Sequence, residues 1–353
     1  MNRDIVYYRE LPQVEVGARI EQARSTLGDR LIILGHHYQL DEVIQHVDFT
    51  GDSYQLAKKA LTCSSAEFIV FCGVHFMAET ADIVTDANRK VILPVMDAGC
   101  PMADMATYEH LKQCWKHLLE MGLSAVPVTY MNSSAEIKAF CGEHGGAVCT
   151  SSNAASVFSW ALKQGDCILF TPDEHLGRNT GREIGIPENR IAKWLRSGHL
   201  EASETPRLVV WDGYCPVHQR FSEQHVQSAR EIYASVNVAV HPECPDSVVK
   251  MSDKAGSTEQ IIQYIKESPS GSTWMVGTEK NLVERLAKTL SDRKVLHLAP
   301  DGSVCEDMSK VRAYHLCWVL ENLVEGRLEN QVRVPHDVAV RANLAIQRML
   351  QVS

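Results

Sequence analysis

Leu31-Ile32-Ile33-Leu34-Gly35-His36-His37-Tyr38 runs from four consecutive aliphatic residues straight into a glycine and three ring side chains. An unbroken apolar run suits a strand buried on both faces, and the polar residues that follow mark where such a strand leaves the core. Gly51-Asp52-Ser53 then opens the helical pattern Tyr54-Gln55-Leu56-Ala57-Lys58-Lys59-Ala60. A second strand, Phe68 to Cys72, and a third, Val91-Ile92-Leu93, lead on to Cys100.

The same order returns near the end of the chain. Val236 to Val240 is followed by His241-Pro242-Glu243, Gly256-Ser257-Thr258 stands before a helical stretch, and Trp274-Met275-Val276 and Val295-Leu296-His297-Leu298 precede Cys305. His36 to Cys100 and His241 to Cys305 are each 64 positions apart, and Gly51 and Gly256 each lie 15 positions after their histidine. A middle copy reads Val126 to Tyr130, Met131-Asn132, Cys149-Thr150-Ser151-Ser152, Ile168-Leu169-Phe170, Leu208 to Trp211, Cys215. It is longer by the charged stretch 177–206, in which Glu188 to Arg196 reads as helical; such insertions belong on a surface loop or lid.

This threefold internal repeat predicts an α/β protein of three pseudo-threefold-related α/β/α domains, with small parallel sheets around a central cluster site. The expected domains are 1–108, ending its repeat at Cys100, 109–220, carrying the insertion and Cys215, and 221–353, carrying Cys305 and a C-terminal helical segment. Ligands bind at the carboxyl ends of strands in such sheets. His36, Tyr38, Tyr130, Asn132, His241 and Glu243 all stand at strand exits and are expected to converge.

The 353 residues carry a formal net charge of −9, which argues against nucleic acid or a membrane surface as partner, since both need a concentrated basic field. Met1-Asn2-Arg3-Asp4 lacks the apolar run of a signal peptide, and no stretch approaches membrane-spanning length, so a cytoplasmic location is expected. Eleven cysteines in such a chain are not expected to form a disulfide framework. Cys63, Cys72, Cys114, Cys141, Cys167 and Cys317 lie in or beside apolar runs and read as small buried hydrophobes.

Cys100, Cys215 and Cys305 are different, because each closes one repeat in a turn-like segment, and equivalent positions around a pseudo-threefold axis would meet there. Thiolates select zinc or iron-sulfur clusters. Zinc usually shows paired Cys-x-x-Cys spacing, and none occurs in the chain. Three distant cysteines suit one 4Fe-4S cluster with an unligated iron, against the bland alternative of three structural thiols. Cys215-Pro216-Val217-His218 lacks the second half of a zinc site; Cys244 is a rival ligand but sits where the other repeats have no cysteine; Cys149 is a candidate reactive thiol that burial would silence.

Two further sets carry chemistry. Ser53, Ser151, Ser152, Ser257 and Thr258 fall at helix starts, where they either cap the helix or, together, hold a phosphate or carboxylates. His36, Tyr38, Tyr130, His241 and Glu243 suit general acid–base work, whereas His37, His75 and His175 read as ordinary core or surface histidines. Neither a Walker loop nor a Gly-x-Gly-x-x-Gly fingerprint is present.

Taken together, Gly35-His36-His37-Tyr38-Gln39, Phe49-Thr50-Gly51-Asp52-Ser53, Gly73-Val74-His75-Phe76-Met77-Ala78-Glu79, Ala98-Gly99-Cys100-Pro101-Met102-Ala103-Asp104, Tyr130-Met131-Asn132-Ser133-Ser134, Cys149-Thr150-Ser151-Ser152-Asn153, Gly213-Tyr214-Cys215-Pro216-Val217-His218 and His241-Pro242-Glu243-Cys244-Pro245 resemble the quinolinate synthases of NAD biosynthesis. The resemblance spans about Leu31 to Lys310. It implies a transferase that condenses iminoaspartate with dihydroxyacetone phosphate to quinolinate, releasing phosphate and water, with one 4Fe-4S cluster per chain on Cys100, Cys215 and Cys305. It places His36, Ser53, Tyr130, Asn132, Ser151, His241, Glu243 and Thr258 at substrate, and Tyr38, Glu243 and His36 in catalysis. A functional link to L-aspartate oxidase or aspartate dehydrogenase is also implied. Glu306-Asp307-Met308-Ser309-Lys310 departs from the family pattern after Cys305, and 177–206 matches it poorly. The rival readings are an iron-sulfur hydro-lyase acting on another hydroxy acid and a non-enzymatic iron-sulfur redox sensor.

Overall fold

The computed structural model describes residues 4–63, 65–86 and 88–352. The chain divides into two compact units, Met1–Cys100 with Val304–Pro335, and Pro101–Ser303 with His336–Ser353. In chain order the strands are β1 (Leu31–His36), β2 (Phe49–Gly51), β3 (Phe68–Cys72), β4 (Lys90–Ile92), β5 (Ala125–Tyr130), β6 (Ala147–Cys149), β7 (Cys167–Thr171), β8 (Ile191–Trp194), β9 (Leu200–Glu201), β10 (Leu208–Trp211), β11 (Val236–Val240), β12 (Lys254–Ala255), β13 (Thr273–Gly277), β14 (Lys294–His297) and β15 (Gln331–Val332).

The first unit holds one sheet, in the order β15-β4-β3-β1-β2, and the second holds two, β6-β5-β7-β10-β8-β9 and β12-β11-β13-β14. The repeated part of each is parallel and follows one wiring: the first strand of a repeat lies between its second and third, and the fourth pairs outside the third. Three small, mostly parallel sheets flanked by helices are thus present, as the apolar runs required. β3 and β7 are buried at every residue, the signature of strands covered on both faces.

Side chains repeat along with the wiring. Asp48 Oδ2 accepts from the Ile33 amide at 2.7 Å while the Asp48 amide donates to Ile33 O at 2.8 Å. Asp253 does the same for Val238, at 2.7 and 2.9 Å. These carboxylates occupy backbone groups of the central strand just beyond the reach of the short second strand. Asp48→Ala and Asp253→Ala are each expected to destabilise by about 1–3 kcal/mol, because an amide is left without its acceptor. Urea melts check this, and a second-unit loss much smaller than the first would deny the equivalence.

The insertion does not behave as expected. Glu174–Glu183 is a full helix that already begins before residue 177, and Glu188–Arg190 is only a 3-10 turn. Ile191–Trp194 then adds β8 in parallel to β10, and β9 returns antiparallel to β8. Ile191, Ala192 and Trp194 are buried, so the apolar run at the edge of the sheet finds more cover as a strand than as a helix, and the stretch widens the sheet instead of forming a lid. Around it Trp194, Trp211, Leu169, Val209, Phe140 and Leu118 form a core cluster. The Trp211 indole N–H is satisfied by Met105 O at 2.8 Å.

The terminal helical cover is specific to each unit. In the first, helix Gln13–Leu27 packs on Ala313–Val324, with Arg19 bound to Glu321 at 3.0 Å, and β15 pairs antiparallel with β4. In the second, His336–Val352 packs along Ala135–Glu143. Among the described residues no helix is long and apolar enough to cross a membrane.

Candidate active site

The strand registers show where each expected site residue comes from. Gly35, Thr129 and Val240 are the last residues of their strands paired with the third strand of the repeat. The next residues are therefore equivalent: His36, Tyr130 and His241. Two positions on come Tyr38, Asn132 and Glu243. On the second strand, Gly51 pairs with His36 and Cys149 with Tyr130, while Gly256 follows the Val240–Ala255 pair. Two positions beyond these lie Ser53, Ser151 and Thr258. The residues singled out by sequence are thus three copies of three structural positions.

In the first unit, His36 and Tyr38 are buried. The Tyr38 amide donates to His36 Nδ1 at 3.1 Å, and the two rings meet edge to face with centroids 4.6 Å apart. Because Nδ1 accepts, neutral His36 carries its proton on Nε2. Ser53 starts helix Ser53–Thr62, but the cap is Asp52, whose side chain accepts from the Gln55 amide. The Ser53 hydroxyl is therefore not needed as the cap.

The Cys100 and Cys305 segments of this unit are fastened together. Lys310 Nζ donates to Asp97 O at 2.9 Å and to Asp307 Oδ1 at 2.6 Å. Cys305 directly precedes the short helix Glu306–Ser309, and Gln39 Nε2 reaches Met308 Sδ at 3.3 Å. The residues after Cys305 that depart from the family pattern are the ones that make this tie.

In the second unit the chemistry centres on Glu243, which is 2% exposed. Its Oε2 lies 2.5 Å from His218 Nδ1 and 3.6 Å from His241 Nδ1, and its amide donates to His241 Nδ1 at 3.3 Å. The Tyr130 hydroxyl donates to the same carboxylate. His218 and His241 stack, with centroids 4.4 Å apart and planes 16° from parallel. Burial alone would raise the Glu243 pKa, but the His241 and His218 imidazoles and the hydrogen bonds outweigh it and hold it at about 2. Burial pushes His241 down to about 3, so near neutral pH this imidazole is uncharged, with its proton on Nε2. Glu243 Oε1 is buried and accepts no hydrogen bond among the described residues.

Sequence reasoning missed two members of this group. Asp173, fully buried, takes the Leu176 amide at 2.6 Å and faces the amides of Cys215 and His175. Burial first, and repulsion from Glu243 second, push its pKa well above its ordinary value. In sequence Asp173 looks only like a helix cap, which it also is. His218 was legible as a polar residue near Cys215, but its link to Glu243 was not.

Cys100, Cys215 and Cys305 are half-buried, whereas Cys72, Cys114, Cys141, Cys149, Cys167, Cys244 and Cys317 are buried, with thiols pushed up by desolvation. Cys63, expected in the core, is instead half-buried at the end of helix Ser53–Thr62. The rival ligand Cys244 donates to Gly277 O at 3.6 Å and is silenced by burial; Cys149 is silenced likewise. Cys215, His218 and Glu243 bring ligand atoms within 4.8 Å of one another. His218 is nonetheless a poor metal ligand, since Nδ1 meets Glu243 and Nε2 lies 3.0 Å from Thr278 Oγ1. Cys100, Cys215 and Cys305 each present a half-buried thiol of the kind that ligates a metal. Gly213 allows the Cys215 turn to pass the end of β7, where a Cβ would stand 2.2 Å from Pro172 O.

The family model described as Quinolinate synthetase A protein matches residues 18–351. The chain is 47% identical to a quinolinate synthase of Corynebacterium glutamicum, over 98% of this chain and 89% of that protein. It is 48% identical to one of Streptomyces coelicolor, over 94% and 87%, and 46% identical to one of Bacillus velezensis, over 98% and 95%. With nearly its whole length matched, the chain belongs to the quinolinate synthetase A family.

Proposed function

We propose that the chain forms quinolinate from iminoaspartate and dihydroxyacetone phosphate, with release of phosphate and water, for NAD biosynthesis. The observation that carries this reading beyond the family match is the buried Glu243 carboxylate, held ionised between two imidazoles and the Tyr130 hydroxyl, in the unit that presents Cys215. We assign Cys100, Cys215 and Cys305 as the ligands of one 4Fe-4S cluster. When bound, such a cluster supplies a Lewis-acidic iron that the protein leaves open to substrate oxygen or nitrogen.

The chain's own residues supply binding and proton movement. Ser53, Ser151 and Thr258 stand at or just before helix starts, where amide N–H groups favour the phosphate and carboxylates of substrate. Asn132 Oδ1 is buried with no hydrogen-bond partner among the described residues and serves as an acceptor for a substrate N–H or O–H. His36 and His241, whose Nδ1 atoms accept backbone amides, offer Nε2–H as donors. Glu243 takes the proton lost on isomerisation, through its unengaged Oε1, and Tyr38 returns one to the departing hydroxyl. The three repeats, 1–108, 109–220 and 221–353, each give one copy of this set and one cysteine. Aspartate-oxidising enzymes are the fitting source of iminoaspartate, and the cytoplasm the fitting compartment.

Anaerobically reconstituted protein supplied with both substrates is expected to yield quinolinate by chromatography, and iron-chelated protein to yield none. A fully iron-loaded protein that forms no quinolinate would overturn the assignment and leave the hydro-lyase or redox-sensor reading.

A further inference from the structure

We propose that Ser303 is a positioning residue for the metal centre: its hydroxyl fastens the approach to Cys305 onto the turn that follows Cys215, so that the two segments are held as one piece. This role rests on the assignment of Cys215 and Cys305 as ligands made above.

The contact is short and buried. Ser303 Oγ donates to Val217 O at 2.7 Å, and Ser303 and Val217 are 0% and 5% exposed. Val217 stands two residues after Cys215, and Ser303 two before Cys305. Both ends of the bond are themselves fixed. On one side the amides of His218 and Gln219 donate to Cys215 O at 3.1 and 2.9 Å, closing a turn on the cysteine. On the other, Gly302 N donates to Ala299 O at 3.0 Å, with Gly302 at a φ of 74° that glycine adopts readily. The Ser303 amide donates to His297 Nε2 at 3.2 Å. A hydroxyl that bridges two closed turns sets the place of one by the place of the other.

The repeat separates this hydroxyl from what the fold requires. The residue two before each cysteine accepts from the first amide of the helix that follows the third strand: Ala98 O from His75, Gly213 O from Glu174 and Ser303 O from Lys280, each at 2.8 Å. Alanine, glycine and serine make this backbone tie alike, so it asks nothing of the side chain. Of the three positions Ser303 has the hydroxyl, and that hydroxyl is directed at the segment after the second copy's cysteine. Without it Val217 O loses a buried donor, and the two turns lose their direct bond.

The test loads the parent, Ser303→Ala, Ser303→Thr and Asp253→Ala with iron and sulfide under anaerobic conditions. It follows iron release to a chelator and the electron paramagnetic resonance spectrum of the reduced cluster. Alanine is the residue at the equivalent position of the first copy, so Ser303→Ala is expected to fold. It should release iron about 10–100-fold faster, in line with the loss of metal affinity when a group that orients a ligand is removed, and its spectrum should shift. Ser303→Thr keeps the hydroxyl and returns both toward the parent. Asp253→Ala weakens the same unit through β11 and should release iron near the parental rate. Parental release and spectrum in Ser303→Ala would overturn the proposal. So would equal acceleration in Ser303→Ala and Asp253→Ala, which makes the effect one of stability alone. If Ser303→Thr does not fold, the contrast between the two alanine variants still decides. A parent that holds iron but makes no quinolinate overturns the functional reading, and the release rates then decide this proposal separately. A parent that takes up no iron overturns the ligand assignment and this proposal with it.

Discussion

Glu243→Gln is expected to lower the rate of quinolinate formation by about 10²–10⁴-fold, the range associated with losing a general base. The amide has nearly the shape of the carboxylate, so the cavity is kept, but it cannot take up a proton near neutral pH. It also reverses part of the local polarity, because His218 Nδ1–H and the Tyr130 hydroxyl both donate to this group, and an amide nitrogen placed there would face a donor. The loss should fall on kcat more than on KM, since Glu243 is assigned to a step and not mainly to affinity. Iron content and the thermal midpoint provide the control for folding. Turnover at the parental rate would reject Glu243 as the base.

Gly142→Ala is expected to destabilise the second unit by about 3 kcal/mol or more, at the upper end of overpacking effects. A Cβ at Gly142 would stand 1.8 Å from the carbonyl oxygen of Arg341 and 2.8 Å from its carbon. These are backbone atoms of the facing helix His336–Val352, so no side-chain rotation relieves the clash and the helices must part. Parting them also strains the bonds from Arg348 Nη1 to Gly142 O and Gly146 O, at 3.1 and 2.6 Å, and the Arg341–Glu143 pair. Gly17 is the matched control. It lies in helix Gln13–Leu27, and a Cβ there would meet only the His46 ring, at 3.7 Å. Gly17→Ala should therefore stabilise by about 0.4–1 kcal/mol, through the lower entropy of the unfolded chain. Urea titration distinguishes them, and a neutral Gly142→Ala would mean the helices are not packed this closely.

The repeat explains why so much of the candidate site could be read in advance. His36 and Tyr38, Tyr130 and Asn132, and His241 and Glu243 lie two residues apart at the ends of apolar runs, and Ser53, Ser151 and Thr258 come at a fixed position after the next short strand. These relations are local or repeat with a constant spacing, so residue order alone displays them. The stretch after Ile184 was misread because its apolar residues are compatible with helix or strand over so short a length. The exposed edge of β10 decided between them.

Chain order by itself determined the alternation of buried strands and helices, their threefold repeat, and the candidate polar set at the strand exits, because period and position along a strand are properties of contiguous residues. Tertiary structure decided which cysteines remain accessible: Cys244 is buried and its thiol pushed up by desolvation, whereas Cys100 is half-buried. It also decided that Asp173 is buried beside Glu243, and that His218 is gripped between Glu243 and Thr278. Each of those outcomes depends on desolvation or on partners tens of residues away, and both are set only when the chain folds back on itself.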